Sequence, residues 1–292
     1  MSILGGLRAE AAPAVAAVAF AMAAVGALLA VLPAAADAAG RAVEGVAWVI
    51  AAFLGVVLPD YRPLVAIGHI PVLLAGKPFG WPAGATIASQ VPWPVVNQLL
   101  CMAGGVLFAV AAARHRRLRT GRGVVPGRRL GVAATWVAVG VPVVYAATRW
   151  AWALGIPLGF SGAQLRAFDR EMPGIWWAGA ALGSMALIGS VLTVGLIRPW
   201  GETFPRWLPV LRGRRVPVPL AVVPAMVVAL AVTSAGLMFI RVLAAEPTAT
   251  NWAAMGPAVL WPLWGAALAT AALAYRSRRL LRGNVGRKPT PL

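Results

Sequence analysis

Charge is scarce in this sequence. Of its 292 residues only 12% are Asp, Glu, Lys or Arg, about half the share of a water-soluble domain, and just eight are acidic. That excludes a soluble two-domain enzyme, although the length alone would suit one. Lysine is nearly absent: 24 of the 26 basic residues are Arg, leaving Lys77 and Lys288. Together with the richness in Ala, Gly and Pro, this bias points to a high-GC bacterial genome. The single cysteine, Cys101, excludes an intrachain disulfide framework and any multi-Cys zinc or iron–sulfur site. Lying inside an apolar run, it reads as a buried structural thiol.

Catalytic signatures are missing as well. The chain has no G-x-x-x-x-G-K-S/T phosphate loop, no H-E-x-x-H, no G-x-S-x-G elbow and no aspartate-rich diphosphate-binding motif. Nucleotide, zinc, serine and prenyl-diphosphate chemistry therefore lack their residues, and no cofactor or metal is expected. A membrane enzyme would have to rely on Asp60, Glu202, Asp169 or Glu171. The two histidines, His69 and His115, are far apart in sequence.

What the chain does have is apolar length. Hydrophobic residues make up 60% of it, arranged in uncharged runs that approach the roughly 20 residues a helix needs to cross about 30 Å of hydrocarbon. Six runs are long enough: Ala12 to Leu32, Val95 to Ala113, Leu130 to Thr148, Ile175 to Ile197, Pro219 to Ile240 and Trp252 to Tyr275. Two more, Gly45 to Leu58 and Leu64 to Gly76, are short and are separated by Pro59-Asp60-Tyr61-Arg62-Pro63. The expected fold is an all-α, polytopic transmembrane helix bundle of about eight spans. The alternative is six spans plus a re-entrant pair. Residues 1–292 then form one integral membrane domain with a basic tail over 276–292.

A net charge of +18 would suggest nucleic-acid binding in a soluble protein. Here orientation explains it, because the side rich in Arg and Lys stays cytoplasmic. With both termini inside, 20 of the 26 basic residues fall on the cytoplasmic face. Arg41, Lys77, Arg149, Arg166, Arg170 and Arg241 are left outside, nearly matched in number by Asp37, Glu44, Asp169, Glu171 and Glu246. No nucleic-acid partner is expected. Tryptophans mark the boundaries, with Trp81, Trp93, Trp150, Trp152, Trp176, Trp177 and Trp252 outside and Trp200 and Trp207 inside. Arg8 and the Ala34-Ala35-Ala36 site suit a signal peptide, yet the apolar core of the first run exceeds the usual 7 to 15 residues of one.

Smaller patterns are also legible. Arg114-His115-Arg116-Arg117-Leu118 is echoed by Arg276-Ser277-Arg278-Arg279-Leu280. Ser161 with Gln164 forms a capping box, and Phe160 and Leu165 a staple, so an amphipathic surface helix should follow. Gly179 and Gly183 form a G-x-x-x-G pair suited to close helix packing.

Candidate functional residues cluster in two places. The first is the Pro-interrupted segment of Asp60, Arg62 and His69, with Asn97 and Gln98 nearby in sequence. Short, broken hydrophobic segments mark binding sites in transporters, and ionisable groups at membrane depth are functional candidates. The second is the basic, aromatic stretch of Trp200, Glu202, Arg206, Trp207, Arg212, Arg214 and Arg215, which suits anionic head groups on the cytoplasmic side. These features favour a transporter-like or small-molecule and lipid-binding bundle. A non-catalytic scaffold with a membrane-protein partner and a lipid-modifying enzyme are the alternatives.

Leu58-Pro59-Asp60-Tyr61-Arg62, Asn97-Gln98 followed by Gly104-Gly105, and Arg198-Pro199-Trp200-Gly201 followed by Pro205-Arg206-Trp207 carry a resemblance. Together they are similar to a group of multi-pass membrane proteins of high-GC Gram-positive bacteria to which no activity is attached. The likeness covers most of the chain through short motifs. It implies a bacterial plasma-membrane location and a multi-pass architecture.

Overall fold

The computed structural model describes residues 18, 21–22, 24–26, 38–80, 86, 91–121, 126–206, 211–245 and 252–285, the side chains of Val72, Ala75, Phe79 and residues 283–285 excepted. Among these residues the chain is all-α, with nine α-helices, no strand and a single isolated bridge between Thr203 and Arg215. The helices are α1 (Ala38–Ala52, continued by a π turn at Phe53–Val57), α2 (Arg62–Gly76), α3 (Trp93–Thr120), α4 (Arg128–Ala153), α5 (Gly162–Glu171), α6 (Ile175–Val194), α7 (Val218–Ala245), α8 (Trp252–Val259) and α9 (Trp261–Val285). Six stretches are long and apolar enough to cross a bilayer: Ala38–Val57, Trp93–Thr120, Arg128–Ala153, Ile175–Val194, Val218–Ala245 and Trp252–Arg282. A helix satisfies its own backbone hydrogen bonds, which is what an apolar run without water partners requires. The protein is an integral membrane protein of the polytopic helix-bundle class.

Five of these stretches coincide with expected spans. The first differs, because the run read as Gly45 to Leu58 starts seven residues earlier in the structure and takes Arg41 and Glu44 into the helix. The expected span Ala12 to Leu32, like Trp81, Trp207 and the end of the basic tail, lies largely or wholly outside the described residues.

Two compact units emerge, one of residues 1–66 and 87–124, the other of 67–86 and 125–292. In the first, α1 and α3 pack against each other. Small residues line the seam: Ala47 and Ala112 are fully buried, and a Cβ placed on Gly105 would meet the backbone nitrogen of Gly55 at 2.6 Å. Close backbone approach of this kind replaces the hydrophobic drive that lipid removes. The pair is antiparallel, since Glu44 at the start of α1 meets Arg119 at the end of α3, while Asp60 just beyond α1 meets Gln98 at the start of α3. This corrects the expected placement of Glu44 and the Arg114–Arg129 cluster on opposite faces of the membrane.

In the second unit α4 packs on α6 and α9, and α9 on α7. Gly183 abuts Ala146 and Arg149, so the G-x-x-x-G pair serves packing between helices of one chain. Gly265 lies so close to Thr233 and the Ala229 carbonyl that no side chain fits there. Leu107 and Val110 in the first unit, and Val191, Val223 and Leu263 in the second, are more than half exposed. An apolar outer surface of this kind belongs in lipid.

At the start of α5 both halves of the capping box are present: Gln164 N–H donates to Ser161 Oγ at 3.1 Å, and Ser161 N–H to Gln164 Oε1 at 2.8 Å. Leu165 is buried with Trp152 and Ala253, and Phe160 packs against them as the staple requires. Trp152, Phe160, Phe168 and Trp176 form an aromatic cluster, edge to face except for the tilted Phe160–Trp176 pair, with ring centroids 5.1 to 6.1 Å apart.

Candidate functional site

The Pro59–Pro63 turn is built around Asp60, which is only 3% exposed, with Pro59 and Pro63 buried on either side. Two prolines fix φ and prevent α1 from running on into α2. One carboxylate oxygen of Asp60 accepts the Arg62 N–H at 2.9 Å, closing an Asx turn. The other faces Arg62 Nε at 3.5 Å. The Asp60 N–H in turn donates to Gln98 Oε1 at 3.1 Å.

Of the five residues expected to form this site, the structure therefore joins Asp60, Arg62 and Gln98. Asn97 is half-buried beside Gln98 on the first turns of α3. His69 is half-buried on α2 and belongs to the second unit, whereas Asp60, Arg62 and Gln98 belong to the first. Chemically, the Asp60 charge is spent on the turn and on Arg62. What faces outward is Tyr61 and the Arg62 side chain, which is 41% exposed.

Sequence reading missed a second polar centre in the same unit. Glu44, 8% exposed, accepts Arg119 Nη2 at 2.6 Å and lies 3.9 Å from Arg116 Nε. One turn before Arg119, His115 is buried with its Nε2 free of any hydrogen bond among the described residues.

The second unit has its own carboxylate hub. Glu202 accepts Arg278 Nε at 3.4 Å and Arg282 Nη1 at 2.8 Å. Arg278 also donates to the Leu196 carbonyl, and Arg279 to the carbonyls of Glu202 and Val216. The buried Tyr275 hydroxyl donates to the Gly201 carbonyl at 2.7 Å. These bonds clamp the expected interfacial segment onto α9. The signal was the echo of basic runs: Arg116 and Arg278 occupy equivalent positions in it, and each pairs with a lone carboxylate.

Above that clamp lies a cavity of about 470 Å³ between α6, α7 and α9, lined by Leu192, Leu196, Trp200, Phe204, Leu220 and Leu268 among others. Thr193, a polar residue in its wall, donates its hydroxyl back to the Gly189 carbonyl at 2.8 Å. At the far end of the unit a more open depression of about 550 Å³ lies against α5, beside Trp152, Arg166, Asp169, Arg170 and Trp176. Arg206, Arg212, Arg214 and Arg215 are exposed, and Trp207 lies outside the described residues.

Among the described residues no three His, Cys, Asp or Glu side chains converge as metal ligands would. Compared with known protein families, curated proteins and solved structures, the chain matches none.

Proposed function

We propose that the protein is a transporter-like helix bundle for a small polar solute, entered from the outer face at a re-entrant segment that follows Asp60 and begins with α2. The observation that carries this reading is the antiparallel pairing of α1 with α3. Because Asp60 is bonded to Gln98, the chain leaves α1 and rejoins α3 at the same end of the first unit. Whatever residues 61–92 do, they begin and finish on one face.

The arginine-rich end of α3, with Glu44 beside it, belongs to the cytoplasm by charge. The Asp60 turn then faces outward. The 15 residues of α2 extend about 22 Å, short of the hydrocarbon thickness. A Cβ on Gly68 would lie 3.3 Å from Leu182, seven residues along α6, which supports insertion of α2 to membrane depth. Pro71 removes a backbone donor within α2 and so frees a carbonyl there. Incompletely bonded backbone at membrane depth is tolerated where it lines protein or a water-filled path, the usual setting of substrate and ion sites in transporters.

The test uses cysteine substitutions in a Cys101→Ala background with a membrane-impermeant maleimide on intact cells. Tyr61→Cys and Thr86→Cys should both label from outside, and Arg41→Cys only after permeabilisation. Opposite labelling of positions 61 and 86 would remove the re-entrant segment and this reading with it. Native mass spectrometry of wild type beside Asp60→Asn and His69→Ala then asks for a bound solute lost in the variants. Asn can still close the Asx turn, so loss in Asp60→Asn reports the charge.

A further inference from the structure

The cavity in the second unit is too apolar to hold a polar solute, yet it adjoins the most basic loop of the chain. We infer that it is a site for one anionic phospholipid, with an acyl chain in the cavity and the phosphate over Arg212, Arg214 and Arg215. The inference rests on the second unit alone and stands whatever becomes of the re-entrant reading.

Depth comes first. The cavity wall runs from Gly189 to Leu196 at the end of α6 and from Leu220 to Val228 at the start of α7, so it occupies one end of two membrane-spanning helices. At that depth the surrounding solvent is lipid acyl chain. The cavity volume falls within the range of roughly 300 to 1,000 Å³ typical of ligand sites.

Next comes the rim. A small hairpin closes the cavity: Val216 N–H donates to the Glu202 carbonyl at 2.9 Å and Phe204 N–H to the Arg214 carbonyl at 2.9 Å, with Gly213 turning at φ 70°. Phe204, Pro205 and Val216 line the cavity, while the neighbouring Arg206, Arg212, Arg214 and Arg215 are exposed. Glu202, the carboxylate of this loop, is already engaged by Arg278 and Arg282. Among the described residues no ion pair neutralises the four rim arginines. An apolar slot at leaflet depth beside uncompensated guanidinium groups matches an amphiphile with a fatty chain and a phosphate, and arginine pairs with phosphate bidentately.

Full-length protein in mild detergent would be titrated with phosphatidylglycerol and with phosphatidylcholine of the same chain length, and adducts counted by native mass spectrometry. One saturable phosphatidylglycerol adduct is expected, at least tenfold tighter than phosphatidylcholine. Arg212→Gln, Arg214→Gln and Arg215→Gln combined change only exposed side chains and should erase the tenfold preference.

Gly189→Leu should abolish the single adduct with both lipids. A Cβ at Gly189 meets nothing within 4 Å, so the added side chain has room without a clash. Ala225→Phe fills the same cavity from α7 and stands in if Gly189→Leu lowers the melting temperature. Equal binding of the two lipids, adducts indifferent to either cavity variant, or displacement by soluble inorganic phosphate at millimolar concentration would each overturn the site in favour of plain surface charge.

Discussion

Two glutamates, one in each unit, show how similar ion pairs serve different ends. Glu44 sits inside a helix and holds α1 to α3 through Arg119 and Arg116. Glu202 sits in a loop and holds it to α9 through Arg278 and Arg282, whose neighbours also take backbone carbonyls. The Glu44 side chain is 10% exposed and that of Glu202 23%. Around Glu44 one carboxylate carries the polar contact between two helices. Around Glu202 several bonds share the load, so loss of any one is partly covered by the rest.

That contrast yields a graded set of expectations. The largest effect belongs to Gly105→Leu, which forces a side chain into the Gly55 backbone in the α1–α3 seam. It should prevent recovery of monodisperse protein by size-exclusion chromatography, whereas Gly189→Leu should not. Next is Glu44→Gln, which leaves the half-buried Arg119 without its counter-charge; a loss of about 3 kcal/mol is expected from thermal unfolding in detergent. Glu202→Gln should cost less, about 1.5 kcal/mol, because Arg278 and Arg279 keep their carbonyl acceptors. If Glu202→Gln proves the costlier of the two, the loop clamp and not the helix seam is the main polar support. The smallest change is Ser161→Ala at the α5 cap, about 0.5 to 1 kcal/mol. It serves as a yardstick, since α5 is a surface helix with its own hydrogen-bonded start.

Much of this architecture is legible in the residues. Uncharged runs locate the long helices because hydropathy and length decide what can cross a bilayer, and the Ser161–Gln164 box locates α5 because capping is local chemistry. Glu44 was misplaced for a definite reason. Turning α1 over exchanges Arg41 and Arg62 between the two faces, one arginine for another, so the charge bias at the two ends of α1 cannot register the difference. Only the contact with Arg119 does. In the candidate sites, Asp60 and Arg62 were readable because they stand two apart in sequence, and Gln98 because its amide needs a partner. The cavity was not, since Leu192, Leu196 and Leu220 look the same in sequence whether they fill a core or line a hollow.

The wide turn at Phe53–Val57 bears on which insertions and deletions this chain tolerates. There Leu58 N–H reaches back five residues to the Phe53 carbonyl at 2.9 Å, so the turn holds about one residue more than an α-helical turn. Deleting a single residue from it converts the π turn to α while the chain on either side keeps its phase, and Asp60 still arrives opposite Gln98. The same deletion near Trp48 has no slack to draw on. It swings Glu44 by about 100° relative to Asp60, so one of the two ends of α1 must lose its partner on α3.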